Sequence, residues 1–213
     1  TPLTSIHWNL ELVLGGGLNK KTTNELFKNA YTSAITMANI LDDMFIALDI
    51  EEKKKKIEVR KKESNFKTMV QHVLADLEEE REKKNIHIKL KGLDDIPSFS
   101  YDSSLIEKVA SIILKNAILY NQNDGEMAVE GMIKEINGAS YLVFSVADNG
   151  MGITEEEKKN IFSRFYRSER AKELSPNGFG LGLFIAKYFI EQHGGELWFI
   201  SPGRNEGSVF SFS

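Results

Sequence analysis

The sequence predicts an α+β fold, in which a helical hairpin precedes an α/β sandwich with a mixed, mostly antiparallel sheet. Apolar residues recur at steps of three and four over the first fifty residues, which is the spacing of helices. Short strand-like runs then alternate with helical segments. At each end of this part, two strand-like runs are close enough in sequence to resemble a hairpin. We therefore divide the chain into a dimerisation hairpin at residues 1–52 and a sandwich domain at residues 55–213.

The composition is that of a soluble globular protein, with 41% hydrophobic and 27% charged residues among 213. The absence of cysteine excludes disulfides and thiolate metal sites. A net charge of −4 and a pI near 5.7 argue against sequence-independent binding of nucleic acid, which requires a basic face. No apolar run approaches the ~20 residues that cross a bilayer, so we expect no membrane contact.

Two helices are predicted before residue 52. The first ends at a run of three glycines, Gly15 to Gly17, and carries its apolar residues three and four apart, at Leu3, Ile6, Leu10 and Val13. The second carries two interleaved seven-residue series, Phe27, Ala34, Leu41 and Leu48 with Ala30, Met37 and Met44. We expect both series to lie on one seam of the second helix.

This hairpin has more apolar surface than two helices can bury on each other. A homodimer through the hairpin would bury the excess in a four-helix bundle, and we predict such a dimer. The alternative is that the apolar stripe of the second helix packs on the downstream domain of the same chain.

The remaining elements follow a basic junction at residues 53–56. Apolar, β-branched and alternating runs predict strands at 56–60, 86–92, 127–133, 141–147, 196–200 and 208–213. Helical spacing predicts helices at 66–84, 102–120, 155–163 and 181–193, the second of them capped by Asp102. This order predicts helices packed on one face of the sheet.

The segment DNGMGI, residues 148–153, follows one of the predicted buried strands. It places Asp148 where the strand leaves the core, with Gly150 and Gly152 at the second and fourth positions after it. A carboxylate at this point can cap a helix or start a turn, and glycine supplies positive φ. By itself, the segment indicates no more than a turn.

A second glycine cluster, NGFGLGL, directly precedes a predicted helix that begins near Leu181. Around Gly178, Gly180 and Gly182, free backbone N–H groups and the positive end of the helix dipole would face the loop. The cluster therefore predicts an anion site, best matched by phosphate. It does not match the dinucleotide fingerprint, because no parallel βαβ unit with a downstream acidic residue surrounds it.

The third feature is an amide on the helix that follows Asp102. Asn116 shares a stripe with Leu105, Val109 and Ile113, so we expect it among apolar neighbours on the inner face. A buried amide needs partners, and a neighbouring backbone group would serve. An Asn oxygen is also a suitable ligand for a Mg²⁺ ion that bridges protein and nucleotide phosphate.

Taken in order, LKNAILY, DNGMGI, FSRFY, NGFGLGL and EGSVF resemble the N, G1, F, G2 and G3 boxes of the ATPase domain of sensor histidine kinases. That domain has the Bergerat fold, which it shares with type II topoisomerases, a mismatch-repair ATPase and a heat-shock chaperone. The resemblance covers roughly residues 55–213, and the joint order of five motifs is more specific than any one of them. Upstream, TPLTSI resembles the tail of the H box, H-E-x-x-T-P-L-x-x-I, in the hairpin of the same kinases.

The resemblance implies an ATP site with a role for each matching residue. Asp148 would accept a hydrogen bond from the adenine amino group, Asn116 would hold Mg²⁺, and Tyr120 would lie against the nucleoside. The other implied contacts are Gly150, Gly152 and Ile153 beside the base, Phe162 and Phe165 as anchors of a mobile lid, Gly178, Gly180, Leu181 and Gly182 at the phosphates, and Ser208 beneath the adenine.

The sequence departs from the family pattern at two positions. Ile112 stands where the family commonly has a second Asn, and Leu119 stands where a Lys often touches phosphate. The metal site would then depend mainly on Asn116. The missing positive charge would come from Arg167, Arg170 or Lys172 in the lid.

The phosphoacceptor histidine of the H box would lie four residues before Thr1. His7 is in another register, and His72, His87 and His193 match no site of the family. Residues 1–213 are therefore expected to bind ATP without phosphorylating themselves. Thr1 corresponds to the position that family members use to orient water for dephosphorylation of the response regulator.

The predicted function is that of the catalytic core of a sensor histidine kinase, and its predicted location is the cytoplasm. The same location applies if this core is the cytoplasmic part of a membrane-anchored sensor. The core would transfer the γ-phosphoryl group of Mg²⁺-bound ATP to the upstream His and then to an Asp of a response-regulator receiver domain. The alternative is a degenerate ATP-binding module in which nucleotide acts as a conformational switch. A related serine kinase or molecular ATPase is disfavoured by the TPLTSI hairpin.

Overall fold

The structure of the chain, a computed structural model, describes residues 1–51, 57–136, 138–176 and 178–213. The predicted domain boundary between residues 52 and 55 lies outside the described residues.

The first two helices form the predicted hairpin. Helix α1 (Pro2–Leu14) begins after Thr1, whose hydroxyl accepts a hydrogen bond from the Thr4 N–H, and it ends at Gly15, the first glycine of the GGG run. Helix α2 (Lys20–Glu51) packs back along α1, and the hydroxyl of Ser33 donates to that of Ser5 at 3.0 Å. The spacing of apolar residues and the glycine run thus predict both helices.

The predicted seam of α2 is mostly exposed on this chain. Ala30 is buried, whereas Phe27, Leu41, Met44 and Leu48 are 50%, 43%, 36% and 51% exposed. Helix α2 also reaches the sandwich domain, because Ala47 is buried in the core of that domain. Ala47 belongs to neither series, so the sandwich domain contacts the end of α2 beside the predicted seam, and Leu41, Met44 and Leu48 of the seam remain exposed on this chain.

Ion pairs accompany the packing of α2 on the downstream domain. Lys108 Nζ lies 2.8 Å from Asp43 Oδ1, and the guanidinium of Arg164 makes a bidentate pair with Glu51.

The rest of the described chain alternates strands and helices. The strands are β1 (Lys62–Ser64), β2 (His87–Lys91), β3 (Phe99–Tyr101), β4 (Glu126–Ile136), β5 (Ala139–Asp148), β6 (Leu197–Ile200) and β7 (Ser208–Phe212). The helices are α3 (Phe66–Asp76), α4 (Glu78–Lys84), α5 (Ser103–Leu119), α6 (Glu155–Lys158), α7 (Glu169–Leu174) and α8 (Gly182–His193), with a short 3₁₀ helix at Leu93–Asp95.

The main sheet is mixed and mostly antiparallel, which confirms the predicted fold class. Its strand order is β2-β4-β5-β7-β6, in which only the β2–β4 pair is parallel. Strands β1 and β3 form a separate antiparallel pair. In the register of β5 and β7, Asp148 lies opposite Ser208.

The core lies between the main sheet and helices α3, α5 and α8. Phe66 at the start of α3 is fully buried, and its ring centroid lies 5.3 Å from that of Phe144 on β5. Val109 of α5 and Ile185 of α8 are also fully buried in this core. Burial of each such side chain contributes about 1.5–3 kcal/mol, so this layer fixes the ends of α5, α8 and β5 relative to one another.

Three predicted elements differ in the structure. The strand predicted at 56–60 is not formed over residues 57–60, and strand β1 lies instead at Lys62–Ser64, where β3 supplies its partner. The helix predicted at 66–84 breaks at Leu77, because this residue is buried whereas α4 has no apolar residue that could hold it on the core. The helix predicted at 155–163 ends at Lys158, after which tight turns direct Ile161 and Phe162 onto the core.

Candidate functional site

A cleft of about 860 Å³, counted with its open mouth, lies between the ends of α5, α8, β5 and β7 and the segment that contains α6 and α7. The residues that line it are Asn116, Ala117, Tyr120, Asp148, Met151, Gly152, Ile153, Glu157, Ile161, Tyr166, Arg167, Ser168, Ala171, Gly180, Gly182, Leu183, Ser208 and Phe210. Most of the motifs that the sequence separates therefore meet in one cleft.

The carboxylate of Asp148 forms the polar centre of one end of the cleft. Its Oδ2 accepts a hydrogen bond from the Ser208 hydroxyl at 2.6 Å, and its Oδ1 accepts one from the Gly150 N–H at 2.8 Å. Burial raises the pKa of Asp148, although these hydrogen bonds act to lower it. The side chain is thus a fixed acceptor that faces a mostly apolar cleft.

The two glycines of DNGMGI are required by close contacts within the protein. Gly152 has φ +61°, and a Cβ atom there would overlap the carbonyl oxygen of Gly203. A Cβ atom on Gly150 would overlap the carbonyl oxygen of Tyr120 at the end of α5. Any side chain at either position would push the loop away from its neighbours and move Asp148.

A buried serine that the sequence does not single out ties this loop to the turn before β7. Ser201 is 4% exposed, its Oγ accepts from the Ile153 N–H at 2.9 Å, and it donates to the Gly207 carbonyl at 2.7 Å. Gly207 directly precedes Ser208, so Ser201 holds both segments that position Asp148.

Replacing Ser201 with Ala is expected to lower the free energy of unfolding by about 2 kcal/mol, because it leaves a buried N–H and a buried carbonyl unpaired. Chemical denaturation of parent and variant measures the difference. Ser98, an exposed serine, provides the matched control, and Ser98→Ala should cost little. Equal losses in the two variants would contradict the role given to Ser201.

Helix α5 contributes Asn116 and Tyr120 to the cleft. Asn116 is only partly buried, so its amide lies at the cleft surface instead of among apolar neighbours on the inner face. Ile112, one turn earlier, packs beside Gly182 at the start of α8. The Nζ of Lys84 donates to the carbonyls of Leu119 and Asn121, which braces the end of α5.

The second glycine cluster forms the start of α8. Gly180 and Gly182 line the cleft, and Leu181 is the N-cap without a side-chain cap, so the first N–H groups of α8 have no side-chain acceptor from that residue. Gly180 has φ +71° and packs against the backbone of Tyr166. The side chain of Leu181 points into the core, and Gly178 lies beside the Arg167 guanidinium.

The two phenylalanines of FSRFY differ in their surroundings. The Phe162 ring packs edge-on against Phe199 with centroids 5.6 Å apart, and Lys187 Nζ lies 5.2 Å from the Phe162 centroid. Phe165 is 59% exposed and has φ +60°, with its N–H bonded to the Gly180 carbonyl at 2.9 Å. Phe162 therefore anchors this segment through its side chain, and Phe165 does so through its backbone.

The three cations predicted to supply positive charge are engaged by the protein. Arg167 donates to the carbonyls of Gly178, Ala171 and Ser175. Arg170 binds backbone carbonyls and Glu157, and Lys172 pairs with Glu169. Of these three cations, only Arg167 lines the cleft.

The structure brings together nine of the predicted site residues, which are Asn116, Tyr120, Asp148, Gly152, Ile153, Arg167, Gly180, Gly182 and Ser208. Of the other predicted residues, Gly150, Phe162, Phe165, Gly178 and Leu181 lie next to the cleft wall, and Thr1 lies on the hairpin. Sequence reasoning missed Glu157, although Thr154 and Glu157 have the spacing of a capping box, which the structure contains.

Within the described residues, no three or more His, Cys, Asp or Glu side chains are placed to hold a metal ion. Asn116 offers an amide oxygen at the cleft surface, and this oxygen together with oxygens of a bound ligand would be suitable ligands for a metal ion. None of the helices in the described ranges combines the length and apolar character needed to span a bilayer.

Comparison with known proteins gives one family and several relatives. A profile of the family described as histidine kinase-, DNA gyrase B-, and HSP90-like ATPase matches residues 101–213. The chain is 28% identical over 217 residues to Sensor protein KdpD of Clostridium acetobutylicum, in an alignment that covers 100% of this chain and 23% of KdpD. The chain thus spans about a quarter of the length of that relative.

Two solved structures share the fold. Acinetobacter baumannii histidine kinase AdeS is 20% identical with a TM-score of 0.71, over 100% of this chain and 93% of AdeS. Histidine kinase ThkA, in complex with the response regulator protein TrrA, is 23% identical with a TM-score of 0.64, over 100% of this chain and 57% of the ThkA chain. Both alignments include the hairpin as well as the sandwich domain.

Proposed function

The chain belongs to the histidine kinase-, DNA gyrase B-, and HSP90-like ATPase family, and from this premise we propose that it is the ATP-binding catalytic core of a sensor histidine kinase. The observation that carries the proposal is the buried carboxylate of Asp148, held by Ser208 and Gly150 at one end of a cleft whose other side is the glycine-rich start of α8.

The two ends of the cleft match the two ends of ATP. The Asp148 carboxylate would accept a hydrogen bond from the adenine amino group, with Ser208 beneath the base and Tyr120 against the nucleoside. The phosphates would lie at the N-terminus of α8, where Gly180 and Gly182 line the cleft and Leu181 provides no side-chain cap for the first helix N–H groups. Asn116 would hold Mg²⁺, which supplies charge neutralisation at the phosphates when it is bound.

We propose that the γ-phosphoryl group passes from ATP to a histidine four residues before Thr1. The bond to the β-phosphate oxygen breaks as the imidazole nitrogen forms its bond to phosphorus, and ADP leaves. The phosphoryl group would then go to an Asp of a response regulator. Thr1, as N-cap of α1, would orient the water that hydrolyses the phosphoaspartate of the response regulator. The ThkA structure, solved with its response regulator, supports this class of partner.

A second copy of the chain is the other proposed partner. Phe27, Leu41, Met44 and Leu48 of the α2 seam are exposed. Leu3, Trp8 and Leu12 on α1 are exposed as well. Two hairpins that pack through these residues would form a four-helix bundle. Residues 1–52 would then be the dimerisation domain and residues 55–213 the catalytic domain, both located in the cytoplasm.

One observation favours the second candidate function, a nucleotide-controlled binding module without kinase activity. Ile112 and Leu119 replace an amide and an amine that the family commonly has near the phosphates, and Arg167, Arg170 and Lys172 already have protein partners. The two candidate functions can be distinguished by metal dependence. The kinase proposal requires that Asn116 hold a Mg²⁺ ion that also binds the phosphates of ATP, whereas the second candidate function does not.

Mg²⁺ is expected to tighten binding of a non-hydrolysable ATP analogue, and Asn116→Ala should abolish most of that gain, because phosphates and water are the other ligands. Binding of ADP without metal should change little. Calorimetric titration with and without Mg²⁺ measures both effects, and Asn123→Ala, at an exposed position outside the cleft, is the control. If Asn116→Ala keeps the full Mg²⁺ dependence, the ion is held elsewhere and the second candidate function is favoured. If the parent does not bind the analogue at all, the proposed function is wrong.

A further inference from the structure

Helix α7 is joined to the loop of residues 150–153, here called the base loop, by one arginine. The guanidinium of Arg170 donates to the Met151 carbonyl at 2.9 Å and to the Gly152 carbonyl at 3.3 Å. It also donates to Glu157 Oε2 at 2.8 Å. Arg170 therefore connects three parts of the site, which are α7, α6 and the base loop.

Glu157 is held in place for this contact. Its Oε2 also accepts a hydrogen bond from the Thr154 N–H at 2.7 Å, within the capping box of α6. The side chains of Arg170 and Glu157 are 21% and 11% exposed, so water competes little for their hydrogen bonds. Burial acts to raise the pKa of Glu157, but the hydrogen bonds from Thr154 and Arg170 outweigh it and lower that pKa.

Helix α7 covers the cleft and is braced internally. Ser168 and Ala171 line the cleft, so movement of α7 would open it. Arg167 donates to the carbonyls of Ala171 within α7 and of Ser175 at its C-cap, independently of Arg170. Loss of the Arg170 contacts would therefore release α7 from the base loop, whereas the Arg167 hydrogen bonds would keep α7 folded.

We propose that Arg170 and Glu157 form a latch that holds α7 over the base-binding end of the cleft and sets the rate at which nucleotide leaves. This inference rests on the proposed function for the identity of the ligand. Arg170 and Glu157 act as positioning residues, because they hold the base loop and α7 rather than the reacting phosphate. Charge-assisted hydrogen bonds of this kind are the stronger ones in proteins, and three of them must part for α7 to move away.

The test measures release of a fluorescent ADP analogue from the 213-residue chain by stopped flow. Arg170→Met is expected to raise the dissociation rate constant about tenfold or more. Glu157→Gln should raise it less, and the double variant should add little to Arg170→Met because both changes break one unit. Arg81→Met is the matched control, since Arg81 binds Glu78 and the Ile86 carbonyl outside the cleft, and it should leave the rate unchanged.

Amide hydrogen exchange of the nucleotide-free chain provides a second measurement that does not depend on the ligand. Arg170→Met should increase exchange at the amides of residues 150–153 and of α7, and Arg170→Lys should restore part of the protection. Unchanged exchange in Arg170→Met, or an unchanged ADP dissociation rate, would overturn the latch. If the parent binds no nucleotide, the proposed function is wrong, and the exchange measurement alone then decides whether the latch exists.

Discussion

Asp148→Asn should weaken binding of ATP by about tenfold to a hundredfold, while the fold remains intact. The carboxylate of Asp148 presents only acceptors to the base, whereas an amide can present a donor and leave a polar group unpaired, at a cost of about 1–3 kcal/mol. Calorimetric titration with a non-hydrolysable ATP analogue measures the loss. Asp95→Asn, at an exposed position outside the cleft, is the matched control and should bind as the parent does.

The same carboxylate predicts base selectivity and a pH dependence. A GTP analogue lacks the amino group at the position that adenine offers, so the parent should bind it far more weakly. Burial raises the pKa of Asp148, so the carboxylate is lost at a higher pH than for an ordinary Asp, and affinity should fall as the pH is lowered through that raised value.

The effect of Asp148 on stability has the opposite sign. Between the ordinary pKa of Asp and the raised value, the folded chain binds more protons than the unfolded chain, so the contribution of Asp148 to stability falls as pH rises through that window and is constant above it. Asp148→Asn should therefore not lower the free energy of unfolding at neutral pH.

For the binding measurement, equal ATP affinity in the Asp148→Asn variant and the parent would show that Asp148 is not part of the ATP site.

A polypeptide of residues 1–213 should bind ATP and yet incorporate no acid-labile phosphate, whereas a chain extended upstream through the H box should label itself. Transfer requires an imidazole presented within about 3–3.5 Å of the γ-phosphorus. His7 lies ten residues after the expected histidine position, about 15 Å further along the helix axis at 1.5 Å per residue. It is also exposed and paired with Glu11 at 3.5 Å. Incubation with γ-labelled ATP and Mg²⁺ measures the label.

The extended chain supplies the control for this experiment. Replacement of the histidine four residues before Thr1 should remove its label, and His7→Ala should not. If residues 1–213 label themselves and His7→Ala abolishes the label, then the alignment of the hairpin is wrong and the reaction must be assigned to His7.

The fold class and most element positions could be predicted because they depend on local patterns. The Asp102 carboxylate caps α5 by accepting a hydrogen bond from the Leu105 N–H, and Gly15 ends α1. Both features can be read within a few residues of sequence. Prediction was less accurate where packing overrides local spacing. The helix predicted at 66–84 breaks at Leu77, which is buried in the core, because the following segment α4 has only charged side chains and none of them is buried. For α2, the seven-residue spacing places both series on one seam but does not say which partner covers it, and most of that seam is exposed on this chain.

For the site, the amino-acid sequence already contains the order of the motifs and the residue types in them, such as Asp148 after a strand and the glycines before α8. The contacts that hold these residues in place arise from the folded chain. Ser201 bonds the Ile153 N–H across 48 residues, Arg170 bonds the Met151 carbonyl across 19, and Lys84 bonds the Asn121 carbonyl across 37. Each of these contacts joins a side chain to a backbone N–H or carbonyl group. Because nearly every residue has these backbone groups, the residue type does not indicate which residue will be the partner. The pairing exists only once the folded sheet and helices bring the two segments together.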